Sequence, residues 1–311
     1  MISEHLSSWL GYPVHALGFE ELKKKIPDLS RTICRLYIDY ESEGTFAELF
    51  SKFTALSGVE RTPGVIVGAF MGDDASLESV EAVNAIVSAK TKLTALRGIF
   101  LGDIISEENE ISWINQCDVS PLLTAYPQLE HLGIRGGTGL ILGSISHQHL
   151  KSLVIQTGGL SSSVVADVAR AELPALEHLE LWLGEENYGW DGTVADLQPL
   201  LNRGRFPALR QLGLRNSVIQ DEIAAAAAGA PVIEQLQVLD LSMGNLSDKG
   251  AEALLGNPGF RKLQKLDLHH HYLSPAMEQR LKAAFPNVDV SDRQEADEDG
   301  DEVYRNISVS E

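Results

Sequence analysis

One short stretch, Leu176 to Gly184, constrains the fold of this 311-residue chain more than any other. It reads Leu-Glu-His-Leu-Glu-Leu-Trp-Leu-Gly, so its leucines recur at spacings of three and then two residues. Leu179 and Leu181 alternate with Glu180 and Trp182, which is the period-two pattern of a short strand with one apolar and one polar face. The stretch therefore predicts one rung of a repeating structure.

The same pattern recurs along the chain. It opens at seven leucines separated by 21 to 33 residues, namely Leu96, Leu129, Leu150, Leu176, Leu209, Leu236 and Leu263. Most separations match the roughly 20 to 29 residues of a leucine-rich repeat, and the longer ones contain insertions. Two weaker strand patterns at 33–39 and 65–70, together with a shortened one at 288–290, bring the predicted number of rungs to ten.

Helices are predicted in the returns between the strands, because their starting signals can be read directly. Thr45 followed by Glu48 forms a capping box, and Thr193 and Ser247 resemble further N-caps. Ser120 and Ser274 each precede a proline, which suits the first position of a helix because its missing N–H costs nothing there.

These patterns predict an α/β leucine-rich-repeat solenoid, a horseshoe with a parallel concave sheet and helices on the convex side. We expect a single solenoid over residues 1–290, with an N-terminal cap and degenerate repeats at 1–95 and clear repeats at 96–290. Residues 291–311 carry eight acidic and two basic side chains, which predicts a disordered, solubilising tail.

Composition limits the kinds of partner. The net charge of −19 argues against general binding to nucleic acids or anionic membranes. Neither a membrane-spanning apolar run nor the charge pattern of a secretion signal can be read, so we expect a soluble, cytoplasmic protein. Cys34 and Cys117 have no CxxC partner and are expected to be reduced, buried thiols. No cofactor is predicted, and the oligomeric state stays open.

Repeats of this length resemble the ribonuclease-inhibitor-like branch of the leucine-rich-repeat superfamily over about 96–290. A closer resemblance, to a bacterial family of cytoplasmic leucine-rich-repeat proteins, rests on blocks at 100–104 (FLGDI), 110–114 (EISWI), 135–139 (RGGTG), 176–184 and 266–271 (LDLHHH). In larger bacterial proteins, segments similar to these blocks lie beside WGR-type modules, and no WGR-like segment is evident in this sequence. The resemblance implies a recognition or accessory role and no particular enzymatic activity.

A binding surface is predicted on the concave face, where the outward-facing positions of successive rungs line up. They are His131, Arg135, His178, Glu180, Trp182, Arg215, Asp240, Asp267 and His269. An exposed Trp182 flanked by arginines and carboxylates has the composition of a recognition hot spot, which makes it the predicted anchor. The alternative is an ordinary polar sheet face on which Trp182 packs against its neighbours.

A second predicted surface lies on the rim, where two insertions leave the same edge of the sheet. Its residues are Asp103, Glu107, Glu108, Glu185, Glu186, Tyr188 and Trp190. Gathered carboxylates can hold a hard cation, but no known ligand spacing is present, so solvated acidic loops are the favoured interpretation and no metal is predicted.

Two further motifs invite chemistry. His269, His270 and His271 should alternate faces along a strand, so that at most two could share a metal, with Asp267 placed to orient His269. The run at 136–139 (GGTG) lacks the rest of a phosphate-binding motif and is better explained by a turn that requires positive φ.

The sequence therefore favours a non-enzymatic scaffold that recognises a protein or peptide on its concave face and rim loops. The alternative is a metal-dependent enzyme, or an accessory subunit of one, that uses the rim carboxylates and His269. Side chains that converge from separate rungs leave no linear signature, so missing motifs do not decide between the two.

Overall fold

The computed structural model describes residues 2–72, 74, 76–300 and 302–311. The chain divides into two compact units. The first contains residues 1–155, 171–173 and 311, and the second contains residues 156–170 and 174–310.

The first unit is a series of strands with helices in the returns. Its strands are β1 Ser8–Trp9, β2 Tyr12–Leu17, β3 Ile33–Leu36, β4 Gly64–Val67, β5 Gly98–Leu101, β6 His131–Arg135 and β7 Ser152–Gln156, whose last residue belongs to the second unit. Its helices are α1 Phe46–Phe53, α2 Val80–Ser88 and α3 Ser120–Ala125. β1 pairs antiparallel with β2, and β2 to β6 pair in parallel in chain order.

The second unit repeats the arrangement more regularly. Its parallel strands are β8 His178–Gly184, β9 Gln211–Ser217, β10 Val238–Asp240, β11 Lys265–Asp267 and β12 Val288–Asp289. Its helices are α4 Ser162–Arg170, α5 Val194–Leu201, α6 Gln220–Ala228, α7 Asp248–Leu255 and α8 Pro275–Ala284. Near the C-terminus, β13 Asp297–Asp299 and β14 Glu302–Tyr304 form an antiparallel hairpin.

The core follows the leucine pattern of the sequence. Leu179, Leu212, Leu239 and Leu266 are in register on neighbouring strands, and Val288 continues their row. All four leucines are fully buried, because they point from the sheet towards the helix layer. The predicted repeat of short parallel strands and the α/β leucine-rich-repeat solenoid are thus confirmed.

Most predicted helix starts are confirmed. Thr45 accepts the Glu48 N–H, Ser247 accepts the Lys249 N–H and Ser274 accepts the Met277 N–H. The prediction for Ser120 was wrong, because Ser120 is already the first helical residue. Its N–H donates to the Asp118 carboxylate at 2.9 Å, so the capping oxygen lies two residues earlier than expected.

The N-terminal region contains more sheet than the sequence indicated. β2 pairs in parallel with β3, so the parallel series begins one strand before the first predicted rung. Tyr12–Leu17 contains Pro13 and no leucine motif, which explains why it was missed. Between β2 and β3 lies the 3₁₀ turn Glu21–Lys23.

The C-terminal region corrects a second expectation. Ile307 and Val309 are only 8% and 3% exposed, so residues 306–310 pack on the second unit, and the prediction of disorder was wrong for them. Acidic composition hid these two apolar residues. The prediction of one solenoid domain over residues 1–290 stays a prediction. Within the residues described, no helix is long and apolar enough to cross a membrane.

Candidate functional site

Several charged residues of the first unit meet in a largely buried cluster. Its centre is Asp103, which has no exposed surface although it follows β5 at the predicted rim. Arg35 Nε lies 3.1 Å from one carboxylate oxygen and Arg135 Nη1 lies 3.4 Å from the other. His5 Nδ1 lies 3.6 Å away, and the Leu6 backbone N–H donates to both oxygens. A buried carboxylate between two arginines is stabilised by their charge and hydrogen bonds.

Arg135 was predicted on the exposed concave face, and this prediction was wrong. Its guanidinium is buried, donates to the Ile104 carbonyl oxygen at 2.9 Å and lies 5.6 Å from the centre of the Phe100 ring. Burial lowers the pKa of Arg135, and the neighbouring Asp103 charge acts in the opposite direction. The exposed-rim assignment of Asp103 was wrong for the same reason, because both groups belong to the cluster. The first unit has two further predicted rim carboxylates. Glu108 pairs with Arg35 at 3.0 Å, whereas Glu107 is exposed.

The predicted concave face of the sheet, which we call the strand face, is covered in the first unit by that unit's own N-terminal residues. Ile33, Ile66 and Phe100 form an apolar cluster on which Leu6, Trp9 and Leu10 pack. Trp9 meets Phe100 edge to face, with ring centres 5.9 Å apart. A side chain at Gly98 would collide with Trp9 and Leu10, so the glycine makes room for this cover. His131 begins β6, is in register with Gly98 and is half-buried.

The strand face of the second unit carries a row of carboxylates. Glu180, Gly213, Asp240, Asp267 and Asp289 are in register on successive strands. Parallel strands lie about 4.8 Å apart, so the like charges of such a row repel unless cations separate them.

Arg215 separates the first two of these carboxylates. Its Nη1 lies 3.1 Å from Glu180 Oε1 and its Nε lies 3.2 Å from Asp240 Oδ2. A Cβ at Gly213 would sit 3.2 Å from the Glu180 side chain and 3.4 Å from Arg215 Cδ. The glycine therefore leaves the space through which Arg215 reaches back between its neighbours. Burial raises the pKa of Asp240, and Arg215 opposes that rise.

Trp182 is not the exposed anchor that the sequence suggested. It is 6% exposed, its Nε1 donates to Glu180 Oε1 at 2.7 Å, and the Arg215 guanidinium lies 5.4 Å from its ring. The structure matches the alternative interpretation, in which Trp182 packs against neighbouring side chains of the sheet. Burial acts to raise the pKa of Glu180, but hydrogen bonds from His178 and Trp182 and the Arg215 charge hold it below its ordinary value.

At the other end of the row, His269 and Lys265 pair with Asp267 and Asp289. His269 Nδ1 lies 2.8 Å from Asp267 Oδ1, so Asp267 orients His269 as predicted. Lys265 Nζ lies 2.6 Å from Asp267 and 3.2 Å from Asp289. The hydrogen bond that His269 donates to Asp267 raises the pKa of His269. Burial would raise the pKa of Asp267, but the bonds from His269 and Lys265 hold it far below its ordinary range.

Asp267, His269 and Asp289 also form the one possible metal-binding group among the described residues, with ligand atoms within 4.8 Å of one another. The sequence analysis missed Asp289. The signal was the repeated pattern Asp-apolar-Ser/His at Asp240, Asp267 and Asp289, where each Oδ1 accepts the backbone N–H two residues later. The Lys265 ammonium lies between two of the candidate ligands and already supplies positive charge there.

The other histidines do not follow the expected alternation, because β11 ends at Asp267. His270 adopts a left-handed φ of 55°, and His271 is buried with its Nδ1 accepting the Leu273 N–H at 3.1 Å. At 136–139, Gly136 and Gly139 have φ values of 101° and 73°, which confirms the tight turn.

The rim loop of the second unit is only partly available. Glu186 is exposed and Glu185 and Tyr188 are half-buried, but Trp190 is buried, which corrects its assignment as an exposed rim residue. The next residue, Asp191, accepts the Ser162 N–H at 2.6 Å at the start of α4, so the loop is fixed to the body of the unit.

No protein-family model matches this sequence, and no curated protein matches it. Among solved structures, the chain is similar to a Bacteroides fragilis protein with 36% sequence identity and a TM-score of 0.76. It is also similar to an internalin from Listeria monocytogenes, with 15% identity and a TM-score of 0.34 over 86% of this chain and 69% of the other. A leucine-rich-repeat protein from Leptospira interrogans has 11% identity and a TM-score of 0.21 over 82% and 95% of the two chains.

The similarity to the Bacteroides fragilis protein covers 79% of this chain and 70% of that one. Identity at this level over most of both chains reflects common ancestry in addition to a shared fold. This leucine-rich-repeat chain therefore belongs to the same family as the Bacteroides fragilis protein.

Proposed function

We propose that the protein is a non-enzymatic scaffold that binds a protein or peptide segment across the strand face of its second unit. The observation that carries this proposal is the row of carboxylates from Glu180 to Asp289, in which Arg215 pairs with the first two and Lys265 with the last two. Its members are held by one another at 2.6 to 3.2 Å. A face of this kind is ordered before a ligand arrives.

Preorganisation favours recognition, because less side-chain freedom is lost on binding. Lys265 and His269 remain 46% and 31% exposed while they pair with the row, so they can also contact a ligand. The row contains both signs of charge, which suits a partner segment of mixed charge and disfavours a uniformly charged one. Trp182 would then contribute by supporting Arg215 from below.

The net charge of −19 supports a partner other than nucleic acid or an anionic membrane. The resemblance to a bacterial family of cytoplasmic leucine-rich-repeat proteins leads us to place this activity in the bacterial cytoplasm. Binding roles for the half-buried His131 and His178 and for the rim residues Glu107, Glu185, Glu186 and Tyr188 remain predictions.

The proposal is tested by changing exposed positions of the strand face that lie outside the ion pairs of Arg215. Gln211→Glu with Lys265→Glu alters the face. Gln198→Glu with Lys249→Glu makes the same change in charge on exposed helical positions of the same unit. Proteins captured from the native cytoplasm by the parent and by the helix variant should be lost with the face variant. Equal recovery by all three would place binding elsewhere.

A metal-dependent enzyme or accessory subunit is the second candidate, favoured only by the grouping of Asp267, His269 and Asp289. Elemental analysis of protein purified without a histidine tag distinguishes it. The scaffold proposal predicts no stoichiometric metal, since Lys265 neutralises the carboxylates. One metal ion per chain that disappears in His269→Ala would favour the second candidate.

A further inference from the structure

The C-terminal residues lie on the second unit as an extended segment that is recognised through its backbone. The Asn216 side chain accepts the Val309 N–H at 2.9 Å and donates to the Val309 carbonyl oxygen. The Ser308 N–H donates to the Met243 carbonyl oxygen at 2.9 Å, and the Tyr272 hydroxyl donates to the Asn306 carbonyl oxygen at 2.8 Å. Successive tail residues thus contact successive rungs.

The surface beneath this segment is built from a repeated backbone feature. Four successive rungs place a non-glycine residue in the left-handed region three residues beyond the in-register row of Gly213, Asp240, Asp267 and Asp289. These residues are Asn216, Met243, His270 and Asp292, with φ between 51° and 69°. Such residues are uncommon, and four in one row mark a position where the backbone turns the same way at every rung. The segment contacts three of the four.

Gly158 closes the far end of the same surface. A Cβ at Gly158 would lie 2.0 Å from the Ser310 carbonyl oxygen, and the three atoms nearest to it would all belong to Ser310. The absence of a side chain at this glycine therefore leaves room for the segment. The fully buried Asn216 is equally specialised, because its amide satisfies both hydrogen-bonding groups of one peptide residue, as a neighbouring strand would.

Recognition of this kind depends little on sequence. It requires an extended backbone and two aliphatic side chains separated by one residue, supplied here by Ile307 and Val309. Residues 303–305 just before it are exposed, and Arg305 connects the segment to β14 of the hairpin. A segment held by so few residues can be replaced by another chain of the same character.

We propose that this surface, formed by Gly158, Asn216, Met243 and Tyr272, is a groove for an extended segment of a partner protein. That segment carries two aliphatic side chains separated by one residue, and residues 306–310 occupy the groove in its absence. The groove adjoins the strand face of Glu180 to Asp289, because Arg215 donates to Met243 Sδ at 2.9 Å. The variants that test the two surfaces share no residue, so either proposal can fail without the other.

The test uses the 311-residue chain with its own segment released by Ile307→Asp and Val309→Asp. The probe is a fluorescein-labelled peptide of residues 305–311, followed by fluorescence anisotropy. The parent should bind it weakly, because its own segment competes at a high effective concentration. The released variant should bind it at least about tenfold more tightly. A probe with Asp in place of both aliphatic residues should not bind.

Two further variants locate the binding. In the released chain, Asn216→Gly keeps the left-handed backbone but removes the amide, and Gly158→Ala fills the space of Ser310. Each should abolish binding of the probe. Equal affinity of parent and released variant would overturn the proposal, as would binding unaffected by both changes. A parent dimer in light scattering that becomes monomeric in the released variant would overturn the partner assignment in favour of a second copy of this chain.

Discussion

At the residue scale, most polar side chains of the strand face bind one another. In the second unit, Asp240, Asp267 and Asp289 each accept the backbone N–H two residues ahead. Arg215 pairs with Asp240, and Lys265 pairs with Asp267 and Asp289. In the first unit, Asp103 forms ion pairs with two arginines, Arg35 and Arg135. Charged residues that looked like ligand contacts in the sequence therefore also stabilise the face that carries them.

His269 should make stability depend on pH. Its pKa is raised above the ordinary 6.5 by Asp267, so its contribution is fully present below pH 6.5 and is lost as pH rises through the folded-state pKa. His269→Gln should destabilise most at about pH 5.5 and much less at about pH 8.5. Urea unfolding of parent and variant at both pH values measures this, and a difference independent of pH would contradict it.

Asp103→Asn should be strongly destabilising. It removes the charge that compensates the buried guanidinium groups of Arg35 and Arg135, and breaking such an arrangement typically costs about 3 to 5 kcal/mol in the free energy of unfolding. Glu107→Gln is the matched control on an exposed carboxylate and should change it by less than about 0.5 kcal/mol. Similar values in denaturant unfolding for the two variants would show that the cluster is unimportant.

At the element scale, the strands are too short to be stable alone. β10 and β11 contain three residues each and β12 contains two, so each depends on its neighbours and on the helix layer. The row of buried leucines links these elements, and the helix caps fix where each return begins.

Leu239→Ala should test the leucine row. The side chain is fully buried between neighbours in register, and the cavity left behind should cost about 2 to 5 kcal/mol in unfolding free energy. Gln237→Ala, on an exposed side chain just before the same strand, should change it by less than about 0.5 kcal/mol. A leucine variant that unfolds like the parent would remove the basis for this core.

The caps of α8 and α3 offer a matched pair. Ser274→Ala removes an oxygen that accepts the Met277 N–H and should cost about 1 kcal/mol. Ser120→Ala should cost less than about 0.5 kcal/mol, because the Asp118 carboxylate accepts the N–H at that start. Thermal or urea unfolding of the two variants would contradict this if the order of the effects were reversed.

At the scale of the whole molecule, the two compact units use their strand faces differently. The first covers its face with N-terminal residues, whereas the second keeps a partly exposed row of charges and binds C-terminal residues after its strands. Residues near both ends of the chain therefore pack against the rest of the fold. They do so in a chain whose net charge is −19.

Ending the chain after Arg305 should lower the free energy of unfolding by about 1 to 3 kcal/mol. Two buried aliphatic side chains are lost, and part of their contribution is offset by the ordering entropy of the segment. The control is Asp292→Asn, a single charge change on an exposed residue of the same region. An unchanged thermal midpoint on truncation would show that residues 306–311 do not pack on the unit in solution.

The sequence by itself determined the repeating strands, the buried leucines and most helix starts, because these depend on local periodicity that each rung expresses within a few residues. Only the tertiary structure decided which polar side chains meet. Arg35 and Asp103 are 68 residues apart, and Asn216 and Val309 are 93 apart. Trp182 shows the difference: its place on the strand face follows from alternation, but its burial depends on Arg215 from the next rung, which no local pattern specifies.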